Sequence, residues 1–142
     1  MTAPPRYRLA PHTADLAVEV AGADLAALLA NLAWAVADQY ADAAAVAPRV
    51  AVPLALAAPD REALVVALAN ELIYRRDAEG LVLPHLEVAA ADGGRLEATA
   101  RGEPADPARH ALRPGLKAAT WHGLSVRDTP GGGLEAFVVF DV

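Results

Sequence analysis

The apolar positions of this chain keep two rhythms. Leu16, Val18 and Val20 alternate with Asp15, Ala17 and Glu19, the period of a half-buried strand that turns its branched residues to a core and Asp15, Ala17 and Glu19 away from it. Tyr7-Arg8-Leu9, just before, alternates more weakly. Gly22-Ala23-Asp24 then supplies a turn and an N-cap. Beyond it Leu25, Leu28, Leu29, Leu32 and Val36 fall on one arc at helical spacing and predict an amphipathic helix running to about Asp42. Trp34 lies off that arc, placed to pack under a loop or to offer a contact surface. Alternation returns at Val50, Val52, Leu54 and Leu56, where Pro53 marks an edge or a bulge. A second helix starts at Pro59-Asp60. Its apolar residues Leu64, Val65, Val66, Leu68, Ala69, Leu72 and Ile73 cover most of the circumference, which predicts the more deeply buried helix of the two. It ends near residues 75–80, with Arg75 and Arg76 at the negative end of the helix dipole.

The second half of the chain reads as strands. Residues 81–91 and 95–102 flank Asp92-Gly93-Gly94, a strong hairpin signal. Residues 106–115 carry Pro107, Pro114 and Gly115 and predict an irregular loop. A strand over 117–127, a turn over 129–133 and a last strand over 134–142 complete the chain. The order predicts an α+β fold with two main helices packed on a largely antiparallel, multi-stranded sheet, in a single domain of residues 1–142.

Composition narrows what such a domain does. Hydrophobic residues make up 55% of the 142, but much of that is alanine, and no apolar run reaches membrane-spanning length. No charged segment followed by an apolar one opens the chain, and no cysteine occurs, so a cytoplasmic protein without disulfides or thiol chemistry is expected. The net charge is −6. Arg101, Arg109, His110, Arg113 and Lys117 form only a scatter, interrupted by Glu103 and Asp106, not the basic stripe of a protein that grips nucleic acid by itself. An acidic chain suits a cation or a basic cleft on a partner. Against eleven arginines stands one lysine, Lys117, where a compact ammonium is expected to have a use.

Two polar stretches stand out from the alanine background. His12-Thr13-Ala14-Asp15 sits at a strand entry, and Asp141 follows the apolar run 137–140. Ser125, the single serine, lacks a nucleophile elbow, and Gly131-Gly132-Gly133 lacks the Lys-Ser/Thr of a phosphate loop. Hard-cation ligands are better supplied. Carboxylates suit magnesium, calcium or manganese, and nothing soft is present. If the terminal strands pair, the carboxylates of Asp15 and Asp141 and the main-chain carboxylate of Val142 converge, with His12, His122 or Glu103 in support. On spacing alone the plainer alternative stands, with Asp15 a turn or cap residue and Asp141 an exposed chain end. His85 and His110 read as structural or solvated. His122 alternates with Thr120 and Leu124 and reads as a buried, hydrogen-bonded histidine. His12 alone adjoins a candidate carboxylate.

Taken in order, Pro11-His12-Thr13-Ala14-Asp15-Leu16, the helix Leu64-Val65-Val66-Ala67-Leu68-Ala69-Asn70-Glu71-Leu72-Ile73-Tyr74, Gly102-Glu103, Lys117-Ala118-Ala119-Thr120-Trp121-His122-Gly123-Leu124 and Phe140-Asp141-Val142 resemble the archease family over the whole chain. That resemblance implies a small α+β protein assisting an RtcB-type RNA ligase. Such a ligase uses GTP and manganese to join a 3′-phosphate or 2′,3′-cyclic phosphate end to a 5′-hydroxyl in tRNA splicing or RNA repair. The assistant is expected to promote guanylylation of the ligase and multiple turnover, and to meet GTP and RNA only through it. By the same resemblance, Asp15 and Asp141 belong to a metal site with main-chain oxygen from Val142. The acidic corner is then expected to enter the ligase's nucleotide cleft, with Lys117 meeting phosphate or a ligase carboxylate. Ala17, Trp121 and Val142 stand where glycine, tyrosine and isoleucine are common in the family. Two other readings compete, a stand-alone metal-dependent hydrolase and a metal-independent chaperone or adaptor module using Trp34 and exposed apolar surface.

Overall fold

A computed structural model describes residues 6–10 and 15–142. The elements run β1 (Tyr7–Ala10), β2 (Leu16–Gly22), α1 (Leu25–Asp38), β3 (Val50–Ala57), α2 (Arg61–Glu79), β4 (Leu81–Asp92), β5 (Arg95–Pro104), α3 (Pro107–His110), β6 (Ala118–Ala119), β7 (Ser125–Asp128) and β8 (Leu134–Asp141), with a 3-10 turn at Ala43–Ala45. The α+β class is as expected, but the strands form two antiparallel sheets. One is ordered β1-β2-β8-β6, with β7 also on β8, and the other β3-β5-β4.

The helices begin where local chemistry directs. Asp24 Oδ1 accepts the Ala27 N–H at 2.8 Å, and Asp60 Oδ1 accepts the Ala63 N–H at 2.8 Å, so each cap satisfies an orphan donor of the first turn. Gly80 closes α2 in the left-handed conformation at φ 70°. Helix α1 stops at Asp38 rather than near Asp42. The Asp38 carboxylate accepts the Ala43 N–H at 3.1 Å and the Tyr7 hydroxyl at 2.6 Å. Tertiary bonds from Asp42 N–H to His110 C=O and from Arg113 N–H to Tyr40 C=O then replace helical ones.

The greater burial belongs to α1, not α2: seven of its 14 residues are buried, against seven of 19 in α2. It packs against β2, β4 and α2 and so joins the two sheets. Small residues make this approach possible, since Ala33, Ala35 and Ala37 sit in the contact. Leu28, Leu29 and Leu32 are fully buried, each contributing about 2 kcal/mol or more. Val18, Val20, Val138 and Phe140 from the first sheet meet Leu54, Leu86, Leu96 and Ala100 from the second in the same core. Ala17 is also fully buried, against expectation. It faces Val139 across β2–β8 on the side away from the helices, and Val139 is fully buried too.

The expected strand over 117–127 is broken into β6 and β7. Between them Thr120 Oγ1 donates to Val139 C=O at 2.9 Å, and Gly123 takes φ 67°, a conformation that favours glycine. Gly123 lies against the Phe137 and Val139 side chains. The hairpin at Gly93-Gly94 forms as the local signal predicts, with ladder pairing from Asp92↔Arg95 onward. The loop 106–115 contains the short helix α3. Pro53 lies on β3, an edge strand, as its missing N–H requires.

Candidate functional site

Strands β2 and β8 pair antiparallel, with Leu16 opposite Phe140. Asp15, a bend residue just before β2, and Asp141, the last residue of β8, are the next positions beyond that pair. On the other side of β8, Ala118 is the partner of Asp141, and the Lys117 N–H donates to Asp141 C=O at 2.8 Å. Asp141 and Ala118 thus share one row, Asp15 lies at the adjoining end of β2, and Lys117 and Val142 flank Asp141. Phe140 is fully buried toward the helices, so alternation turns Asp141 to the opposite side of the sheet. That side also carries the turn at 120–123, against Val139. Asp141, Lys117 and Trp121 are exposed, Val142 is 53% exposed and Asp15 is half-buried.

Two carboxylates at adjoining strand ends, with hard oxygen donors and no cysteine in the chain, fit a divalent cation. Among the described residues no three His, Cys, Asp or Glu side chains converge as a metal cluster. Main-chain oxygen, such as that of Val142, is a further donor type available at this corner; His12, a candidate from the sequence, lies outside the described residues.

The other sequence candidates divide. His122 is exposed in the turn, not buried; its N–H donates to Thr120 Oγ1 at 3.3 Å. The reversal follows from the break between β6 and β7, which removes the alternation that suggested burial. Glu103 is not brought to the acidic corner. It lies on β5 in the other sheet and is 1% exposed. One oxygen accepts the Ala47 N–H at 2.6 Å, the other pairs with Arg109, and Arg49 approaches to 3.6 Å. The Ala47 N–H and the Arg109 guanidinium, with help from His110, hold its carboxyl at about 2, outweighing the opposing effect of burial. Gly102, beside it, admits the close approach of β4 at the register shift after Val82: a Cβ there would lie 1.7 Å from Val82 O.

His110 is fully buried beside Glu103. Its Nδ1 accepts the Asp106 N–H at 2.9 Å, so Nε2 carries the proton and faces Glu103 Oε1 at 3.4 Å. His85 is likewise structural: Nε2 donates to Val46 C=O at 2.7 Å, and its ring meets Trp34 edge-on. Trp34 in turn carries the Arg6 guanidinium 4.1 Å from its ring centroid.

Sequence reasoning assigned no role to Asn70. Its Oδ1 accepts the Ala119 N–H at 2.8 Å and its Nδ2 donates to Ala119 C=O at 3.4 Å. The available signal was an asparagine in the middle of an apolar helix, where it is a poor helix former.

No helix among the described residues is long and apolar enough to cross a membrane. The model of the archease protein family matches residues 7–142. Protein archease of Thermococcus gammatolerans is 31% identical over 140 residues, covering 96% of this chain and 99% of that protein. The solution structure of Methanobacterium thermoautotrophicum protein 1598 superposes with a TM-score of 0.79 at 24% identity, covering 98% of this chain and all of the other. The crystal structure of a Thermotoga maritima archease, described as a possible chaperone, superposes with a TM-score of 0.61 at 21% identity, covering all of this chain and 98% of the other. The two solved structures share the fold; the family match across nearly the whole chain and the Thermococcus relative establish more, and this chain belongs to the archease family.

Proposed function

We propose that this chain is a cytoplasmic, non-enzymatic accessory protein that binds a divalent cation and activates an RtcB-type RNA ligase, promoting its guanylylation and multiple turnover in tRNA splicing or RNA repair. The observation that carries the cation role is the pairing of β2 with β8, which brings Asp15, just before Leu16, and Asp141, just after Phe140, to adjoining strand ends, where two carboxylates suit a hard cation. Asp15, Asp141 and main-chain oxygen of Val142 would hold calcium, magnesium or manganese, with His12 and His122 in support. Bound there, such an ion supplies positive charge against phosphate oxygens. The chain's own residues do the rest. The sheet register orients the two carboxylates, the exposed corner gives them access to a partner's cleft, and Lys117 beside them offers an ammonium to phosphate or to a ligase carboxylate. GTP and RNA are met through the ligase. This agrees with a net charge of −6 and the absence of a basic stripe in the sequence.

The test is guanylylation of the cognate ligase with and without this protein. Stimulation that disappears in Asp15→Ala and Asp141→Ala, at nearly unchanged melting temperature, supports the proposal. Stimulation undiminished in both variants favours a metal-independent chaperone or adaptor, a reading that the exposed Trp121, Tyr74 and Leu9 would serve. Turnover of GTP or phosphate-ended RNA by the protein alone favours a hydrolase.

A further inference from the structure

Strand β6 is two residues long, yet it forms one flank of the row that holds Asp141. The N–H groups of Lys117 and Thr120 point to β8, bonding Asp141 C=O at 2.8 Å and Val139 C=O at 2.9 Å. The N–H and C=O of Ala119 point the other way, where a further strand would lie. In place of that strand stands the carboxamide of Asn70, donor to carbonyl and acceptor to amide. A single side chain from α2 thus mimics the pairing edge of a strand. Helix α2 is anchored in the core through Leu64, Val65, Leu68, Ala69, Leu72 and Ile73, so the brace ties β6 to the packed core. Two residues of ladder are too few to hold a strand in place unaided.

We infer that Asn70 is a positioning residue for the acidic corner: its carboxamide fixes β6, and through it Lys117 and Asp141, relative to the helical core. This rests on the cation-binding role proposed above for Asp15 and Asp141. The geometry requires both halves of the amide. Asn70→Asp keeps an acceptor for the Ala119 N–H but sets an oxygen against the Ala119 carbonyl, and Asn70→Ala removes both bonds.

Calcium and manganese, titrated separately into the full-length protein, provide the test. Val88→Ala, partly buried against the core on β4 in the other sheet, serves as a control for general destabilisation. Asn70→Ala and Asn70→Asp are expected to weaken cation binding about tenfold or more, the usual effect of losing a group that orients a ligand, while Val88→Ala leaves the affinity unchanged. Amide hydrogen exchange gives a cation-independent readout: Lys117, Ala119 and Thr120 should exchange faster in both Asn70 variants, with Val18 and Val138 unaffected. Wild-type affinity retained by both Asn70 variants, or lost equally in Val88→Ala, overturns the positioning role and leaves the cation role standing. If the wild-type protein binds neither ion, nor magnesium titrated in the same way, the cation role itself fails. Exchange alone then judges the brace, and unchanged rates at Lys117 and Thr120 overturn it.

Discussion

Two groups of carboxylates on this protein are built to opposite specifications. Glu103 is buried and surrounded by donors from Ala47, Arg109 and His110. Each oxygen is used within the fold, so nothing remains to offer a ligand. Asp141 is exposed at the end of β8, and a second aspartate, Asp15, directly precedes the strand paired with it. The first arrangement lowers the energy of the native chain. The second leaves an exposed carboxylate that a cation can reach. A carboxylate's use is therefore read from the donors it still lacks, not from its presence in a motif; Glu103 and Asp141 both lie in stretches that resemble family motifs, and only one is spent on the fold.

The sharpest way to break this contrast is to exchange the phenotypes. Asp15→Ala and Asp141→Ala are expected to remove ligase stimulation, with the melting temperature of Asp141→Ala within about 2 °C of wild type, the usual result for an exposed position. Glu103→Ala should do the reverse. Leaving Arg109 and the Ala47 N–H without their partner is expected to lower the melting temperature by about 10 °C, while the folded fraction still stimulates the ligase. Thermal melts and guanylylation assays on the same preparations decide it. A stable but inactive Glu103→Ala protein would erase the distinction.

The next largest effect is on acid stability. The folded Glu103 carboxyl titrates at about 2 against an ordinary value of 4.5. The unfolded chain therefore takes up that proton first as the pH falls, and acid favours unfolding. Stability from this group is complete above about pH 4.5 and is lost as the pH falls toward 2. Chemical denaturation from pH 6 to pH 2.5 should show a decline that is shallower in Glu103→Gln. Equal slopes would mean that the buried cluster contributes no more than any exposed acid.

What the sequence made legible follows the range of the forces involved. The caps at Asp24 and Asp60 and the hairpin at Gly93-Gly94 are set within a few residues, and they formed as predicted. The α+β class followed from the order of strands and helices. The end of α1 did not, because Asp38 is claimed by Tyr7, 31 residues away. The division of 117–127 into β6 and β7 depends on Thr120 bonding Val139 across the sheet, which no local pattern encodes. Glu103 was drawn toward the metal because a glutamate's burial is invisible in the sequence. Asp15 and Asp141 were paired by supposing that terminal strands meet, and β2 and β8 do.

Cation binding should also appear as stability. Calcium at about 100 times its dissociation constant adds about 2.7 kcal/mol to a protein that binds it only when folded. The melting temperature of the wild type should rise accordingly, and that of Asp141→Ala should not. Appending residues after Val142 should reduce the gain if its free carboxylate is a donor, and leave it whole if only the side chains bind.

The smallest effect is the most specific to the corner. In chelator, Asp15 and Asp141 are like charges at the adjoining ends of β2 and β8, so neutralising one is expected to relieve repulsion. Asp141→Asn is isosteric and keeps the main-chain bond from Lys117. It is expected to melt about 1–3 °C above wild type in chelator at low salt, with the advantage shrinking as salt screens the pair. Saturating calcium should invert the order, because only the wild type keeps both charged donors. Glu103→Gln offers no such crossing, since the charge it removes is already paired. A variant order that is the same with and without calcium would mean that the two aspartates do not share an ion.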